Sequence, residues 1–430
     1  MLTHQTNQSS AFTAQAMVRG GNLGAVLRAL KAERTLSRAD AAKITGLSRA
    51  TVSSLVSQLL EAGLVREVGI RTGSVGRPGT LLELNPLGGS VISVEIGGDF
   101  VATRLSDFVA TPIWQRRIGL AEDSALSVVL EVATELATLA MEQAPAEVIG
   151  VCVGVPGLVD VERGVLVHSS ELDCTQAPIR SWLSARLDAP IHLVEEANLS
   201  ALGEVFSGDS GAAGSIDAVL DSMAGLGRAR CADVLYLSVG SGIHGGFVVN
   251  GQLMSGHRGF AGGVGHMVVD PGGAVCRCGG RGCWDTRASQ RALFDQVHAQ
   301  ARRGMHSPLL RLTSYQLTVD RVVAAARSGD PVAVAALADV GQWLGLGIAN
   351  LVTALNPARI VLGGTLSPAA DLLIPTIDTM LRDTSLVWAA GPGEVLPASH
   401  GRDACLVGGA ATILAGVFSD PLSLTGRKAG

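Results

Sequence analysis

Between Gly259 and Asp285 the chain reads GFAGGVGHMVVDPGGAVCRCGGRGCWD, and this stretch holds its most specific chemistry. His266, Cys276, Cys278 and Cys283 lie in a C-x-C, C-x4-C arrangement with the histidine ten residues upstream. Three thiols and one imidazole suit a four-coordinate zinc ion, which takes soft and borderline donors in a tetrahedral shell. Buried free thiols beside an unrelated histidine are the competing account. Such thiols seldom cluster with intervening arginines such as Arg277 and Arg281. With four protein ligands the shell is full, so the expected zinc is structural and leaves no open position for a reacting water.

A second group of residues could contact a polyanion. Ser48, Arg49, Ala50, Thr51, Ser53 and Ser54 crowd the start of the segment RATVSSLVSQLLEAG. Small side chains let a helix enter the major groove closely, hydroxyls and helix-start amides meet phosphates, and arginine can reach a guanine edge. Arg77 follows in GRP, on a Gly/Pro-stiffened tip that could place a guanidinium in the minor groove; a hairpin turn with a solvated arginine is the alternative.

Local signals position these groups. Ser37 and Asp40 form a capping-box start for one helix, which Gly46 ends. Ser48 can cap the next, where Val52, Leu55, Val56, Leu59 and Leu60 recur at helical spacing, and Gly63 is placed to stop it. A turn of this length between two such helices is helix-turn-helix spacing. Leu64 to Gly69 and Thr80 to Asn85 then read as two strands around the loop carrying Arg77. The segment is thus expected to be a winged helix-turn-helix over 24–86, behind a polar tail over 1–23.

Composition agrees with this division. Residues 1–88 hold ten Lys/Arg against five acids, leaving 23 against 33 in the remainder of a chain whose net charge is -5. A basic module joined to an acidic one fits a polyanionic partner for the first. The chain has 430 residues and 54 glycines, well above the usual glycine share of about 7%. Met1 to Asn22 is polar, so no signal peptide is expected. The apolar segment Val332 to Gly364 is broken by Asp339, Gln342 and Asn350 and reads as a buried helix and strand, so membrane insertion is not expected. Seven cysteines with a metal motif fit a reducing cytoplasm better than a disulfide framework.

From 89 to 418 two strand–glycine turn–strand units recur, VISVEIGG-DFVATRLSD and VLYLSVGSG-IHGGFVVN. They suggest a duplicated α/β fold with a cleft between its halves. Helix signals follow each unit over 124–143, 289–302 and 332–355. VIGVCVGVPG and PIHLVEE are strand-like, and ANLSALGE begins a helix. Residues 208–231 read as a surface loop and 419–430 as a C-terminal tail.

The chain resembles the ROK family (repressors, open reading frames and sugar kinases), in its transcriptional-regulator branch, from about Gly24 to Gly416. The resemblance rests on LSRADAAKITGLSRATVSSLV with its GRP wing, the turns VEIGG, GVPGLVD and SVGSGIHGG, the segment EEANLSALGE and the cysteine cluster. It implies a two-lobe actin/hexokinase-like fold, a structural zinc near a sugar site, and assembly as a homodimer or homotetramer. Several residues depart from the family's kinases. Asp99 stands where they carry threonine, Phe100 where they carry a basic or polar residue, and Glu196 where they carry the aspartate base. Gly263 and Asp285 replace two sugar-holding glutamates. These departures argue against phosphoryl transfer and for a regulator that binds a double-stranded DNA operator and senses a sugar or sugar derivative. The sensor's expected ligand contacts are Gly154, Gly157, Glu196, Asn198, His266 and Asp285. The alternative is a kinase that phosphorylates a hexose with ATP.

Overall fold

A computed structural model describes residues 4–70, 79–121, 123–207, 233–250, 252–313 and 316–425. Arg77 and the expected surface loop at 208–231 lie outside the described residues.

The N-terminal module contains α1 (His4–Glu33), β1 (Leu36–Ser37), α2 (Arg38–Thr45), α3 (Arg49–Glu61), β2 (Val65–Ile70) and β3 (Thr80–Leu84). The three strands pair antiparallel in the order β1-β3-β2, which makes the wing. Ser37 caps α2 by accepting from the Asp40 amide at 3.2 Å while Asp40 accepts from the Ser37 amide at 3.4 Å. Gly46 ends the helix at φ 70°, a left-handed conformation that glycine adopts without penalty. Ser48 caps α3, accepting from the Thr51 amide at 3.1 Å.

The first helix does not begin at Gly24. It starts at His4, so the expected tail over 1–23 is largely helical. Gly20, Gly21 and Gly24 weaken intrinsic helix preference in that stretch. Packing overrides it, because Leu23, Val26, Leu27 and Leu30 are all buried. A Cβ at Gly24 would overlap the Phe418 carbonyl, so glycine there lets two helices touch backbone to backbone. The far end also departs from a simple tail, since Leu422–Thr425 adds a short helix and Pro421 is buried.

The large module has two lobes built alike. In the first, β4 (Ser90–Ile96), β5 (Phe100–Asp107) and β6 (Pro112–Gly119) run antiparallel. The helix α4 (Leu126–Glu142) leads to β7 (Val148–Val155), which pairs parallel with β4. A small antiparallel sheet of β8 (Leu158–Asp160), β9 (Val165–Ser169) and β10 (Cys174–Ala177) intervenes, unsignalled by the sequence reading. The short helix α5 (Ile179–Ser184) precedes β11 (Ile191–Glu195), which joins β7 in parallel and runs straight into α6 (Glu196–Ser207).

The second lobe repeats the plan. It comprises β12 (Val234–Val239), β13 (Ile243–Val249), β14 (Gln252–Leu253), β15 (Arg359–Gly363) and β16 (Glu394–Pro397). The sheet orders are β6-β5-β4-β7-β11 and β14-β13-β12-β15-β16, each three antiparallel strands followed by two parallel ones. Two like sheets facing across a cleft are the duplicated α/β architecture expected.

Among the described residues, two helices have the length and apolarity of a membrane span, Pro331–Leu355 and Gly401–Ser419. Both are mostly buried against their own lobes, which is why they are apolar. The closing helix Ala404–Ser419 packs on α6 along one side and on α1 at its C-terminal end. Leu23, Leu27 and Leu30 of α1 therefore share one core with Leu199 and Leu202 of α6 and with Leu414 and Phe418. Lys31 crosses from α1 to the Val109 carbonyl at 2.8 Å, and Phe108 meets Phe418 with ring centroids 5.7 Å apart.

Candidate metal centre, cleft and nucleic-acid interface

The four expected metal ligands come together. The ligand atoms of His266, Cys276, Cys278 and Cys283 all lie within 4.8 Å of one another. The Cys278 and Cys283 sulfurs are 3.7 Å apart, and Cys276 Sγ lies 3.9 Å from His266 Nδ1. Two thiolates on a tetrahedral zinc at about 2.3 Å each stand about 3.8 Å apart, so the set has the right span. Burial pushes the Cys283 thiol up to about 12, which keeps it protonated until a cation takes the proton's place.

The loop is held from outside the cluster. Trp284 is fully buried, and its indole N–H donates to the Trp343 carbonyl at 2.7 Å. Asp270 pairs with Arg287, whose guanidinium lies 4.7 Å from the Trp343 ring centre. Asp285 Oδ1 accepts from the Ile243 amide at 2.8 Å, tying the loop to β13.

The interlobe cleft carries an unusual concentration of buried charge. Glu195 ends β11 and Glu196 begins α6; both are buried, as is Glu95 on β4. Burial is the main cause that pushes Glu195 and Glu95 each to about 7, with Arg117 working against it at Glu95. Burial, then the neighbouring Glu195 charge, pushes Glu196 well above the carboxylate range. Among the described residues, one imidazole faces this group. His244 on β13 binds Glu171 through Nε2 and lies 3.5 Å from Glu195 Oε1 through Nδ1. Burial alone would lower His244, but Glu171, then Glu195 and Glu196, outweigh it and hold it up to about 10. It is therefore an imidazolium at neutral pH. The same partnership, with the Ser241 hydroxyl, outweighs burial at Glu171 and holds its carboxyl below the usual range.

Not every expected ligand contact sits in the cleft in the expected way. Glu196 lines the small cavity between the lobes, and His266 turns Nδ1 toward the cysteines. Asn198 is buried, its amide donates to Glu195 Oε2 at 2.8 Å, and its side-chain oxygen has no hydrogen-bond partner among the described residues. A buried acceptor in that state calls for a donor. Asp285 Oδ1 is committed to the Ile243 amide, and its Oδ2 lies 3.7 Å from His266 Nδ1. Gly154 and Gly157 are held to glycine by packing. A Cβ at Gly154 would stand 2.5 Å from Cys405 Sγ, and one at Gly157 would overlap the His168 carbonyl. Their missing side chains make room for the closing helix and for β9.

Glu171, Ser241 and His244 were not singled out from the sequence. His244 was visible inside SVGSGIHGG, where a histidine among glycines is a chemical signal. Glu171 lies in an ordinary polar loop with no such mark.

In the N-terminal module, α3 buries Val52, Leu55, Val56 and Leu59 and leaves Ser48, Arg49, Ala50, Ser53 and Ser54 exposed. Thr51 is half-buried, its hydroxyl 2.8 Å from that of Ser48. One face of α3 is thus core and the other a short-chain polar surface with one arginine.

Comparison with known proteins agrees with both modules. The ROK family model matches residues 91–415, and a MarR family model matches residues 24–73. A protein named xylose repressor from Caldicellulosiruptor bescii is 29% identical over 367 residues, covering 84% of this chain and 87% of the relative. A solved ROK family transcriptional regulator, described as a homologue of the Escherichia coli Mlc protein, is 25% identical with a TM-score of 0.75. It covers 96% of this chain and 100% of that one. A ROK glucokinase from Streptomyces griseus, solved with glucose and AMPPNP, is 28% identical with a TM-score of 0.63. There the match covers 75% of this chain and 99% of the enzyme.

Proposed function

This chain belongs to the ROK family, and on that premise we propose that it is a sugar-responsive, DNA-binding transcriptional repressor of the cytoplasm, working as a homodimer or homotetramer. The observation that carries this reading is the two-faced helix α3, mounted in a winged fold that shares its core with the first lobe. Relatives that match over most of the chain are named as repressors, and the solved regulator matches both modules.

The exposed start of α3 enters the major groove, with Ser48, Thr51, Ser53 and Ser54 toward phosphates, Ala50 close to the bases, and Arg49 toward a base edge. Arg77, which lies outside the described residues, is the residue we propose for the adjacent minor groove. Arg49→Ala is expected to weaken operator binding by about 1–3 kcal/mol, read as a shift in fluorescence anisotropy titrations on bound genomic fragments. An unchanged affinity would remove Arg49 from the interface.

His266, Cys276, Cys278 and Cys283 hold a structural zinc ion. Bound there, zinc would cross-link the glycine-rich loop and fix the His266 ring, leaving Nε2 to face a ligand hydroxyl. Glu196 lines the cavity between the lobes and begins α6, so a sugar bound there would touch the first turn of that helix.

The kinase alternative fits the cleft less well. Asp99 puts a carboxylate into the first glycine turn, where it accepts from Gln290 Nε2 at 3.1 Å; beside a nucleotide's phosphates it would repel. Burial, then the neighbouring Glu195 charge, pushes the Glu196 carboxyl well above the carboxylate range, which disfavours the charged form that a general base needs. Gly263 offers no side chain to a sugar. Purified protein with ATP and common hexoses is therefore expected to release no ADP above background in a coupled assay. Steady turnover lost in Glu196→Gln would establish the kinase instead.

Signal transfer has a short route. A sugar that moves Glu196 moves α6, on which the closing helix rests, and the closing helix carries α1 at its other end. At Gly408 a Cβ would overlap the Leu199 carbonyl, and at Gly203 it would stand 2.5 Å from the Ala404 carbonyl. Backbones in direct contact have little room to absorb a displacement. In an oligomer the two recognition helices must match half-sites about 34 Å apart, so a shift of a few ångströms releases DNA.

A further inference from the structure

The deepest part of the cleft already holds an anion that belongs to the protein. Glu171 comes from the first lobe, between β9 and β10, yet its carboxylate binds Ser241 and His244 of the second. It is wedged between two glycine turns. A Cβ at Gly98 would stand 3.4 Å from Glu171 Oε2, and one at Gly242 would stand 2.6 Å from Oε1. Both side chains are almost fully enclosed, Glu171 at 10% and His244 at 12% exposure. The remaining space is a cavity of about 30 Å³, which shares Phe100, Arg117 and Arg402 with the open cleft of about 780 Å³ beside it. A sugar ring cannot enter the inner space while Glu171 fills it.

We propose that the effector is a sugar acid, whose carboxylate replaces that of Glu171 between Ser241 and His244. This rests on the sensor reading above and narrows its ligand class. A neutral sugar that displaced Glu171 would take from the buried His244 the carboxylate bound to its Nε2, leaving Glu195 at 3.5 Å with Glu196 and Asp285 as the other acids around it. A doubly charged phosphate would press extra charge against Glu95, Glu195 and Glu196. A carboxylate brings one charge and two acceptor oxygens, the same inventory as the group it displaces. The exchange also removes one link between the lobes, because Glu171 comes from the first and Ser241 and His244 from the second.

The test is calorimetric titration of the full chain with D-xylose, D-glucose, D-xylonate, D-gluconate, D-glucuronate and glucose 6-phosphate. At least one acid is expected to bind about tenfold or more tighter than its neutral parent. Glu171→Gln, which keeps the shape but removes the competing charge, should bind that acid more tightly still. His244→Gln should erase the preference for the acid. If His244→Gln does not fold, the Glu171→Gln comparison decides alone. Neutral sugars or the phosphate ester binding as tightly as the acids would overturn the proposal and leave the sensor reading standing, as would an acid weakened by Glu171→Gln. Binding by none of the six would overturn both.

Discussion

Gly24→Ala is expected to cost about tenfold or more in operator affinity while leaving zinc content and carbohydrate binding intact. The added methyl lands on the Phe418 carbonyl, where α1 rests on the closing helix. Neither side can give easily, because Leu23, Leu27, Phe108 and Phe418 around it are buried. Overpacking of this kind costs about 1–3 kcal/mol, and part of that cost appears as a tilt of α1 and of the winged module it carries. Anisotropy titration with a selected genomic fragment measures the loss, and calorimetry on the same preparation shows whether the cleft still works. Unchanged operator affinity would mean that the head is not positioned by this contact, and the route from α6 through the closing helix would fail with it.

Cys283→Ser is expected to abolish stoichiometric zinc and to destabilise the second lobe by on the order of 3 kcal/mol. Cys283 is buried at 2% exposure and is followed by Trp284, which anchors the loop against Pro331–Leu355. A serine hydroxyl is a poor substitute ligand, and losing the cross-link frees a loop rich in glycine. Metal analysis and thermal unfolding on the same sample measure the two effects, and a chelator should reproduce the second in the unaltered protein. Retained zinc with an unchanged Tm would show that the cluster is not the clamp described.

The parts of this molecule legible in its sequence are those set by local rules. Ser37, Asp40, Gly46 and Ser48 act within four residues of themselves, so the ends of α2 and α3 follow from capping chemistry alone. The metal cluster spans eighteen residues and declares itself by ligand type. The doubled strand–turn–strand pattern predicts the two lobes, because alternation and glycine turns are also local.

What was not legible depends on partners far away. The packing that holds Gly154 and Gly157 to glycine is hidden while the groups that fill the place of their missing side chains, Cys405 and the His168 carbonyl, are unknown. Glu171 and His244 are 73 residues apart and meet only when the lobes do. The early start of α1 is a third case. Its glycines argue against a helix, and the distant packing of Leu23, Val26, Leu27 and Leu30, with Gly24 against the Phe418 carbonyl, outweighs them. Asp285 shows the same limit in milder form, since its backbone partner at Ile243 lies 42 residues upstream.

The account joins a DNA-reading head to a carbohydrate-reading cleft, and one measurement bears on that union most directly. Genomic fragments selected by the purified protein would be titrated with it in the absence and presence of neutral sugars and sugar acids. The account predicts that at least one carbohydrate lowers operator affinity by about tenfold or more, in line with a coupling of about 1.4 kcal/mol. Tight operator binding that no carbohydrate alters would contradict it.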